Sequence, residues 1–415
     1  MSSNHRAVSR RAFLSGGAAA SAYVWIPRPV RGYTAAEMRA VAAAGQATRG
    51  VSKWDLDTPA LCVDLDKFEK NIDTMQAAMK QFGIASRPHA KTHKCAAIAK
   101  RQLATGSIGI CCAKLSEAEA LAAEGVDKIL MTTANVSKNK IRRAMRLRKE
   151  HPRFVQAVDY APNARDLDAA AKEARVVAEV VIDVAVGSRS GIPPGEDVLA
   201  LAQLIDKLPN LKLLGMLSYD GGAQHARGFE NRKARALKNI AANTDVFQML
   251  KKAGLNTEIY SGGGTGTYNI YHEVGFTDVQ VGSYVFMDMQ YLAIGSANGD
   301  EEYTDFEPSL TVTTTVVNNR AAGRLTTDAG TKALTLNRPA PRVVGEPDME
   351  YTAGSDEFGS IRFNSPPSKE YQIGDILELV VPHCDPVVNL YDQMYGIRKD
   401  RVEAIWPVTA RGKSQ

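Results

Sequence analysis

Residues 178–219 read AEVVIDVAVGSRSGIPPGEDVLALAQLIDKLPNLKLLGMLSY and contain the repeating unit that decides the fold. Residues 180–182 are a continuous apolar run, as expected for a strand buried on both faces, and we predict this strand over 178–186. Apolar residues then recur with helical spacing over 196–207, and a second apolar run predicts a strand over 212–219. A strand, a helix and a strand in this order favour parallel strands joined by helical crossovers.

The same unit recurs on both sides of this segment. The other predicted strands lie over 86–91, 109–114, 128–132, 153–159, 257–261 and 278–286. The other predicted helices lie over 65–82, 95–104, 116–123, 139–150, 162–173 and 233–253, with a short helix near Tyr268. Eight strands alternating with helices over about 230 residues match an α/β fold of the (β/α)8 TIM-barrel type, which we place over residues 58–295. An open, doubly wound parallel sheet is the alternative.

The character of the sequence changes after about residue 303. Thr, Val and Leu alternate over 310–317 and again over 376–381, and Gly and Pro interrupt the intervals. This pattern is typical of antiparallel strands, so we predict a C-terminal antiparallel β domain over 296–415. The Ala-rich stretch 33–50 is predicted to be a helical spacer, within a spacer or strand segment 33–57 that joins the β domain.

The first 32 residues are of a different kind. Residues 9–14 read SRRAFL and are followed by a small-residue and apolar stretch over 16–26. This arrangement is typical of a twin-arginine export signal and predicts a periplasmic protein; a disordered extension on a cytoplasmic protein is the alternative. Neither this stretch nor any later one is long enough for a convincing membrane span, so we expect no stable membrane association.

Composition excludes several classes of protein. The formal net charge is +5 over 415 residues, and no basic run is interleaved with aromatic residues, which argues against nucleic-acid binding. The chain has five cysteines and no CxxC spacing. A disulfide framework and a cysteine-rich zinc site are therefore not expected.

The stretch RPHAKTHK, residues 87–94, ends the first predicted barrel strand. Active sites of such barrels lie at the C-terminal ends of the strands. A lysine there is costly to bury unless it is paired or used covalently. One covalent use is a Schiff base, because burial lowers the pKa of the amine. Lys91 and Lys94 are both candidates, and the alternative is that both meet solvent at the barrel rim.

A glycine-rich stretch, SGGGTGT over 261–267, follows the seventh predicted strand. Glycines let backbone N–H groups approach an anion, and barrels often bind phosphate after strands seven and eight. The residues Gly282, Ser283 and Tyr284 near the eighth strand would complete such a site. The alternative is an ordinary tight turn.

The β domain contains His383-Cys384-Asp385-Pro386. In an extended segment, residues i and i+2 project to the same side, so His383 and Asp385 could share a divalent metal while Cys384 points away. Such a ligand set with water suits Mn²⁺ or Mg²⁺ better than a structural zinc. The alternative is a hydrogen-bonded His–Asp pair.

Together these motifs resemble those of fold-type III pyridoxal-phosphate enzymes, the alanine-racemase-like barrels, and more narrowly the D-threonine aldolase and D-serine dehydratase family. The matching pieces cover nearly the whole chain after the first 32 residues. They are Asp57-Thr58-Pro59, RPHAKTHK at 87–94, GICCAKLSEAEAL at 109–121, SGGGTGT at 261–267, VGSYVFMD at 281–288, Asp328-Ala329-Gly330 and PHCDPVVNLYD at 382–392.

The resemblance implies two cofactors, pyridoxal 5'-phosphate and a divalent metal, Mn²⁺ or Mg²⁺ with Zn²⁺ as the alternative. It implies that Lys91 binds the pyridoxal group covalently, and that His383 and Asp385 hold the metal. The other residues implied to contact the pyridoxal phosphate are His89, Arg189, Tyr219, Gly263, Gly264, Thr265, Gly282, Ser283 and Tyr284.

The resemblance also implies a lyase that acts on a small D-amino acid, and a homodimer. Asp385 stands where D-serine dehydratases typically have cysteine, which favours an aldolase that forms glycine and an aldehyde, with either a metal-held water or His225 as the base. A dehydratase of D-serine or D-threo-3-hydroxyaspartate is the main alternative; a non-catalytic pyridoxal-phosphate protein and an exported solute-binding protein are the others. The chain departs from the aldolase pattern in Asp220 after Tyr219, and in Ala185 in the shortened segment before Arg189.

Overall fold

The structure is a computed structural model that describes residues 33–44 and 50–415, and these belong to one compact unit. The predicted export signal, residues 1–32, lies outside the described residues, so export stays a prediction. Among the described helices, none combines the length and the apolar character that crossing a membrane requires.

Eight parallel strands form the first sheet and confirm the predicted barrel class. They are Ala85–Ser86, Ile110–Cys112, Ile129–Met131, Val155–Val158, Ala178–Asp183, Leu211–Ser218, Ile259–Gly262 and Asp278–Val279. Each strand after the second pairs with its predecessor, and the last pairs with the first. Cys111 N donates to Pro88 O at 2.7 Å, which joins the first strand segment to the second and closes the ring. The sheet is therefore not an open, doubly wound one.

Helices connect the strands and cover the outside of the barrel. They are Leu65–Phe82, Ala96–Ala104, Leu115–Ala123, Lys138–Glu150, Ala161–Ala174, Glu196–Lys207 and Phe229–Lys252, and short 3-10 turns at Thr265–Thr267 and Tyr271–Val274 follow the seventh strand. The helix Leu65–Phe82 shows why the helix bounds are sharp. Its cap residue Asp64 accepts a hydrogen bond from Lys67 N, and Gly83 ends it at φ +67°.

Nine strands form the second sheet. They are Ala60–Asp64, Leu310–Asn318, Arg324–Thr327, Arg342–Val343, Glu350–Ala353, Gly359–Arg362, Ile376–Val380, Gln393–Arg398 and Arg401–Pro407. All pairings are antiparallel except that of Ala60–Asp64 with Gln393–Arg398. The strand Ala60–Asp64 falls in the segment 58–295 that we assigned to the barrel, yet it lies in this second sheet. The segment before it contributes the helix Ala35–Ala43 and the 3-10 turn Lys53–Asp55.

One hydrophobic core joins the two sheets. It contains Phe68 and Ile72 of the first barrel helix, Tyr284 beyond the eighth strand, and Leu310 and Leu379 of the second sheet. Because buried side chains of both sheets pack in one cluster, the loop after the strand Ile376–Val380 reaches the C-terminal end of the barrel.

Three extended segments that we predicted are wrong in detail. The first and last barrel strands were predicted over 86–91 and 278–286, but each has only two residues and is followed by 3-10 turns at Ala90–Thr92 and Ser283–Val285. The segment at His383 is not extended, because Cys384–Val388 is a short helix that begins after His383. Pro88 lacks the N–H that a continuing strand needs, and Pro386 suits the start of a helix.

Candidate active site

Lys91 lies at the C-terminal end of the barrel in the turn Ala90–Thr92. Its Nζ is 3.5 Å from Asp385 Oδ2 and 5.9 Å from the centre of the Tyr219 ring. The side chain is 40% exposed, so a ligand can reach the amine. The negative charge of Asp385 raises the pKa of Lys91 against the opposing effect of burial. A lysine of the barrel therefore meets a carboxylate of the second sheet.

Lys94, the other candidate, is already paired. Its Nζ lies 3.0 Å from Glu117 Oε1, and both side chains are buried. Glu117 Oε2 also accepts a hydrogen bond from Ala113 N at 2.9 Å. Because the amine of Lys94 is held in this ion pair, the geometry favours Lys91 as the covalently used lysine.

Two positive groups lie near the ring of Tyr219. The Arg189 guanidinium carbon is 4.9 Å from the centre of its ring, and Lys91 approaches the same ring. His89 is buried near Lys91, with Nε2 3.4 Å from Thr132 Oγ1, and burial lowers the pKa of His89 well below its ordinary value. The structure thus brings together Lys91, His89, Tyr219 and Arg189, which we expect at one aromatic cofactor ring.

The two predicted phosphate segments lie against each other. Tyr284 N donates to Thr265 Oγ1 at 2.9 Å. Within the part of the chain that the structure describes, the backbone N–H groups of Gly263, Thr265, Gly282 and Ser283 donate to no acceptor. Backbone N–H groups without partners beside a glycine loop are what a phosphate group requires. The residues present therefore fit the phosphate of pyridoxal 5'-phosphate.

Glycine is required at two positions of these segments. Gly263 has φ +66°, in the left-handed region that favours glycine. A Cβ on Gly282 would lie 2.5 Å from Thr92 Oγ1, next to Lys91. Any larger residue at position 282 would therefore push on the turn that carries the lysine.

Gln224 is a residue that sequence reasoning missed. It is buried; its Oε1 accepts from Gly266 N at 3.1 Å, and its Nε2 donates to Thr267 Oγ1 at 2.9 Å and Asp220 O at 3.1 Å. Gln224 therefore joins the glycine-rich stretch 261–267 to the loop after the sixth strand. An isolated glutamine in a loop has no spacing or motif that could have identified it.

Asp288, His383 and Cys384 form a group whose possible ligand atoms all lie within 4.8 Å of one another. Asp288 Oδ2 is 2.8 Å from His383 Nδ1 and accepts hydrogen bonds from Cys384 N at 2.9 Å and Cys384 Sγ at 3.0 Å. The prediction that Cys384 points away is therefore wrong, because the helix turns its side chain toward Asp288. Asp288 was missed as a site residue, although it ends the motif at 281–288.

Asp385 lies beside this group but is not one of the three residues whose ligand atoms all lie within 4.8 Å of one another. Its Oδ1 lies 3.9 Å from Cys384 Sγ, and its Oδ2 faces Lys91. Burial lowers the pKa of His383, but the hydrogen bond and charge of Asp288, together with the charge of Asp385, outweigh it and raise the pKa. The donor set contains imidazole, carboxylate and thiol groups, and thus fits a divalent metal. With Nδ1 of His383 engaged by Asp288, its Nε2 is the nitrogen left for a metal.

His225 lies in the loop after the sixth strand. Its ring is 4.6 Å from the ring of Tyr291, a buried residue whose N–H donates to Asp288 Oδ1. Burial lowers the pKa of His225, and the opposing charge of Asp288 does not reverse this effect. A neutral imidazole near the group of Asp288, His383 and Cys384 can accept a proton.

Asp220, the departure from the aldolase pattern, has a structural role. Its Oδ1 accepts from Gly222 N at 2.9 Å and Ala223 N at 3.1 Å, and its Oδ2 accepts from Asn239 Nδ2 at 3.0 Å. The carboxylate therefore holds the loop that leads from Tyr219 to His225.

Asp183 is a second acid that the sequence did not single out. It is buried at the end of the fifth strand, and it accepts a hydrogen bond from Ser190 Oγ at 3.0 Å. Burial raises the pKa of Asp183 to about 6, against the effects of Ser190 and Arg189.

We expect Asp183→Asn to stabilise the protein at neutral pH. An acid whose pKa is raised on folding favours the folded state at low pH, and this contribution is lost as pH rises through the folded value. Because the pKa rises from 3.8 to about 6, the wild type should lose up to about 3 kcal/mol relative to the variant as pH rises from about 4 to 7. Urea unfolding of both proteins at pH 4.5 and 7.5 measures this; an equal difference at the two pH values would contradict it.

Comparison with known protein families places this site in a known class. Residues 63–290 match the family model "Alanine racemase, N-terminal domain", and residues 309–397 match "Putative serine dehydratase domain". The chain belongs to the family of pyridoxal-phosphate enzymes with an alanine-racemase-like barrel, in the branch that contains D-threonine aldolase and 3-hydroxy-D-aspartate aldolase.

The relatives in this branch are lyases. A 3-hydroxy-D-aspartate aldolase of Paracoccus denitrificans is 36% identical over 88% of this chain and 94% of its own length. A D-threonine aldolase of Arthrobacter sp. is 38% identical over 87% and 94%. The solved structure of D-threonine aldolase from Filomicrobium marinum is 35% identical, with a TM-score of 0.84 over 88% of this chain and 99% of that one. A D-threo-3-hydroxyaspartate dehydratase of Delftia sp. is 31% identical over 69% and 75%.

Proposed function

We propose that the protein is an aldolase that depends on pyridoxal 5'-phosphate and a divalent metal, and that cleaves D-configured β-hydroxy amino acids to glycine and an aldehyde. The observation that carries the proposal is the meeting of Lys91 with Asp385 at 3.5 Å, beside His383 and Asp288. Lys91 of the barrel, the candidate cofactor lysine, thus faces Asp385, which follows a strand of the second sheet and lies next to the candidate metal ligands. The identity to two aldolases over most of the chain supports the same reaction.

The residues that would hold pyridoxal 5'-phosphate all come from the barrel. Lys91 would bind it covalently, the N–H groups of the two phosphate segments would bind its phosphate, and His89, Arg189 and Tyr219 would surround its ring. When bound, the cofactor supplies an electron sink for the breaking bond. The protein supplies orientation, and it places proton-transfer groups around that bond.

His383 and Asp385 would hold the metal from the second sheet, with Cys384 as a further possible ligand. Imidazole and carboxylate donors with open positions suit Mn²⁺ or Mg²⁺, whereas use of the sulfur would favour Zn²⁺. A metal there would bind the substrate β-hydroxyl and make its proton more acidic. Asp288 would keep the imidazole of His383 in one orientation.

Proton transfers separate the two candidate reactions. In the aldolase reaction His225, or a water beside the metal site, takes the β-hydroxyl proton, the Cα–Cβ bond breaks, and Lys91 can return a proton to Cα. In a dehydratase reaction Lys91 instead removes the Cα proton and the hydroxyl group leaves. Asp385, where dehydratases typically have cysteine, favours the aldolase.

Product analysis on D-threonine and D-serine, with and without added Mn²⁺, tests the proposal. We expect metal-dependent formation of glycine and acetaldehyde from D-threonine, because the same groups that bind the hydroxyl can take its proton. Formation of a 2-oxo acid and ammonia as the main products would replace the aldolase by the dehydratase. Without the cofactor, no product should form from either substrate.

Two further properties are proposals. The twin-arginine pattern at residues 9–14 supports export to the periplasm in a folded, cofactor-loaded state. A homodimer is expected from the resemblance to alanine-racemase-like barrels.

A further inference from the structure

A cavity of about 300 Å³ opens beside His225. Its polar lining besides His225 consists of Arg227, Arg338 and Gln290, and the remaining lining residues are apolar. Among the described residues, no acidic side chain lines it, so the two guanidinium groups give it a positive charge that no described lining group neutralises.

The cavity shares His225 with the candidate site. The ring of His225 packs against Tyr291, whose N–H donates to Asp288 Oδ1 at 3.0 Å. Gln290 Nε2 donates to Arg338 O at 3.0 Å, which ties the Arg338 segment of the second sheet to the turn that follows Asp288. Both walls are therefore fixed to residues of the site.

Nearby arginines have protein partners, whereas the exposed side chains of Arg227 and Arg338 have none among the described residues. Arg342 pairs with Glu302 at 2.5 Å, and Arg232 donates to carbonyl oxygens of Gly266, Ala226, Ile294 and Gly295. Over residues 33–44 and 50–415, no carboxylate lies within ion-pair distance of Arg227 or Arg338. Two unpaired guanidinium groups in one cavity are suited to a carboxylate ligand.

We propose that Arg227 and Arg338 bind an anionic substituent on the β-carbon, and that the preferred substrate therefore carries a second carboxylate, as 3-hydroxy-D-aspartate does. The inference rests on the proposed aldolase function. The β-substituent and the β-hydroxyl share one carbon, so a substituent in this cavity leaves the hydroxyl beside His225. The methyl group of D-threonine would leave both guanidinium groups without a partner.

The reaction balances without another reactant. The Cα–Cβ bond breaks and its electron pair stays on Cα, which takes up a proton to give glycine. The β-hydroxyl loses its proton, and Cβ with its carboxylate becomes glyoxylate.

The test compares kcat/KM for 3-hydroxy-D-aspartate and D-threonine in the holoenzyme and in Arg227→Ala and Arg338→Ala. We expect the wild type to prefer the dicarboxylate, and each variant to lower the ratio of the two values by at least about tenfold, the usual scale for losing one charge-assisted hydrogen bond. Arg320→Ala is the matched control. Arg320 is an exposed arginine in loop 319–323 of the second sheet, so its substitution removes the same charge away from the cavity. Its ratio should equal that of the wild type.

A second measurement uses the unaltered holoenzyme. Added salt should raise KM for 3-hydroxy-D-aspartate more than KM for D-threonine, because the cavity is open and its attraction for an anion is screened. Equal ratios in the arginine variants and the wild type, with no selective effect of salt, would overturn the inference while leaving the aldolase intact. Absence of an aldehyde product from both substrates would overturn the proposed function itself.

Discussion

The Lys91→Ala protein is expected to fold, to lose the visible absorbance band of the covalently bound cofactor, and to lose turnover by at least about 10⁴-fold. The reason is that Nζ of Lys91 is accessible to a ligand, whereas Nζ of Lys94 is held in a buried ion pair with Glu117. Absorbance spectra before and after borohydride reduction, with product assays, measure both effects.

Lys94→Ala provides the control. Removing one partner of the buried pair with Glu117 leaves a carboxylate without its counter-charge. This change should cost about 3–5 kcal/mol of unfolding free energy, measured by urea unfolding, while protein that remains folded keeps the absorbance band. If Lys94→Ala lost the band and Lys91→Ala kept it, the assignment would be reversed.

Chelation of the metal, or His383→Ala, should lower turnover by at least about a hundredfold while leaving the cofactor band in place. The two effects separate because the lysine and phosphate segments belong to the barrel, whereas His383 follows a strand of the second sheet. Added Mn²⁺ should restore the chelated wild type but not His383→Ala. Normal turnover of metal-free protein on D-threonine would contradict the prediction.

Variants of the neighbouring residues resolve the ligand set. Asp288→Asn should weaken metal binding by about 10–100-fold in a direct titration, because its carboxylate orients the imidazole of His383. Cys384→Ala should retain the metal if His383 and Asp385 are the ligands. Loss of metal as complete as in His383→Ala would instead assign a sulfur ligand and favour zinc.

The parts of the fold set by local sequence could be predicted. The helices Leu65–Phe82 and Glu196–Lys207 have the bounds that their periodicity predicts, since capping and helical spacing are local properties. The ends of the first and last barrel strands could not be predicted in this way. Apolar residues such as Val281 and Val285 continue the strand-like pattern, but they are buried in the core that joins the two sheets.

Some residues of the candidate site could likewise be predicted from local sequence, and others could not. Lys91 and the glycine loop follow predicted strands, so their positions could be derived from strand order. The contact of His383 with Asp288 joins residues 95 positions apart, and no spacing rule spans that distance. The direction of Cys384 depended on whether the segment is extended or helical, and the motif alone left that open.

The core that joins the two sheets separates two tasks in the sequence. In the proposed reaction, capture of the cofactor depends on barrel segments, whereas the second sheet adds Asp385, His383 and Arg338 from its loops to the barrel residues His225 and Arg227 at the β-carbon. Substitutions in those loops that spare Asp385 are therefore expected to change which side chain is accepted while Lys91 keeps its position.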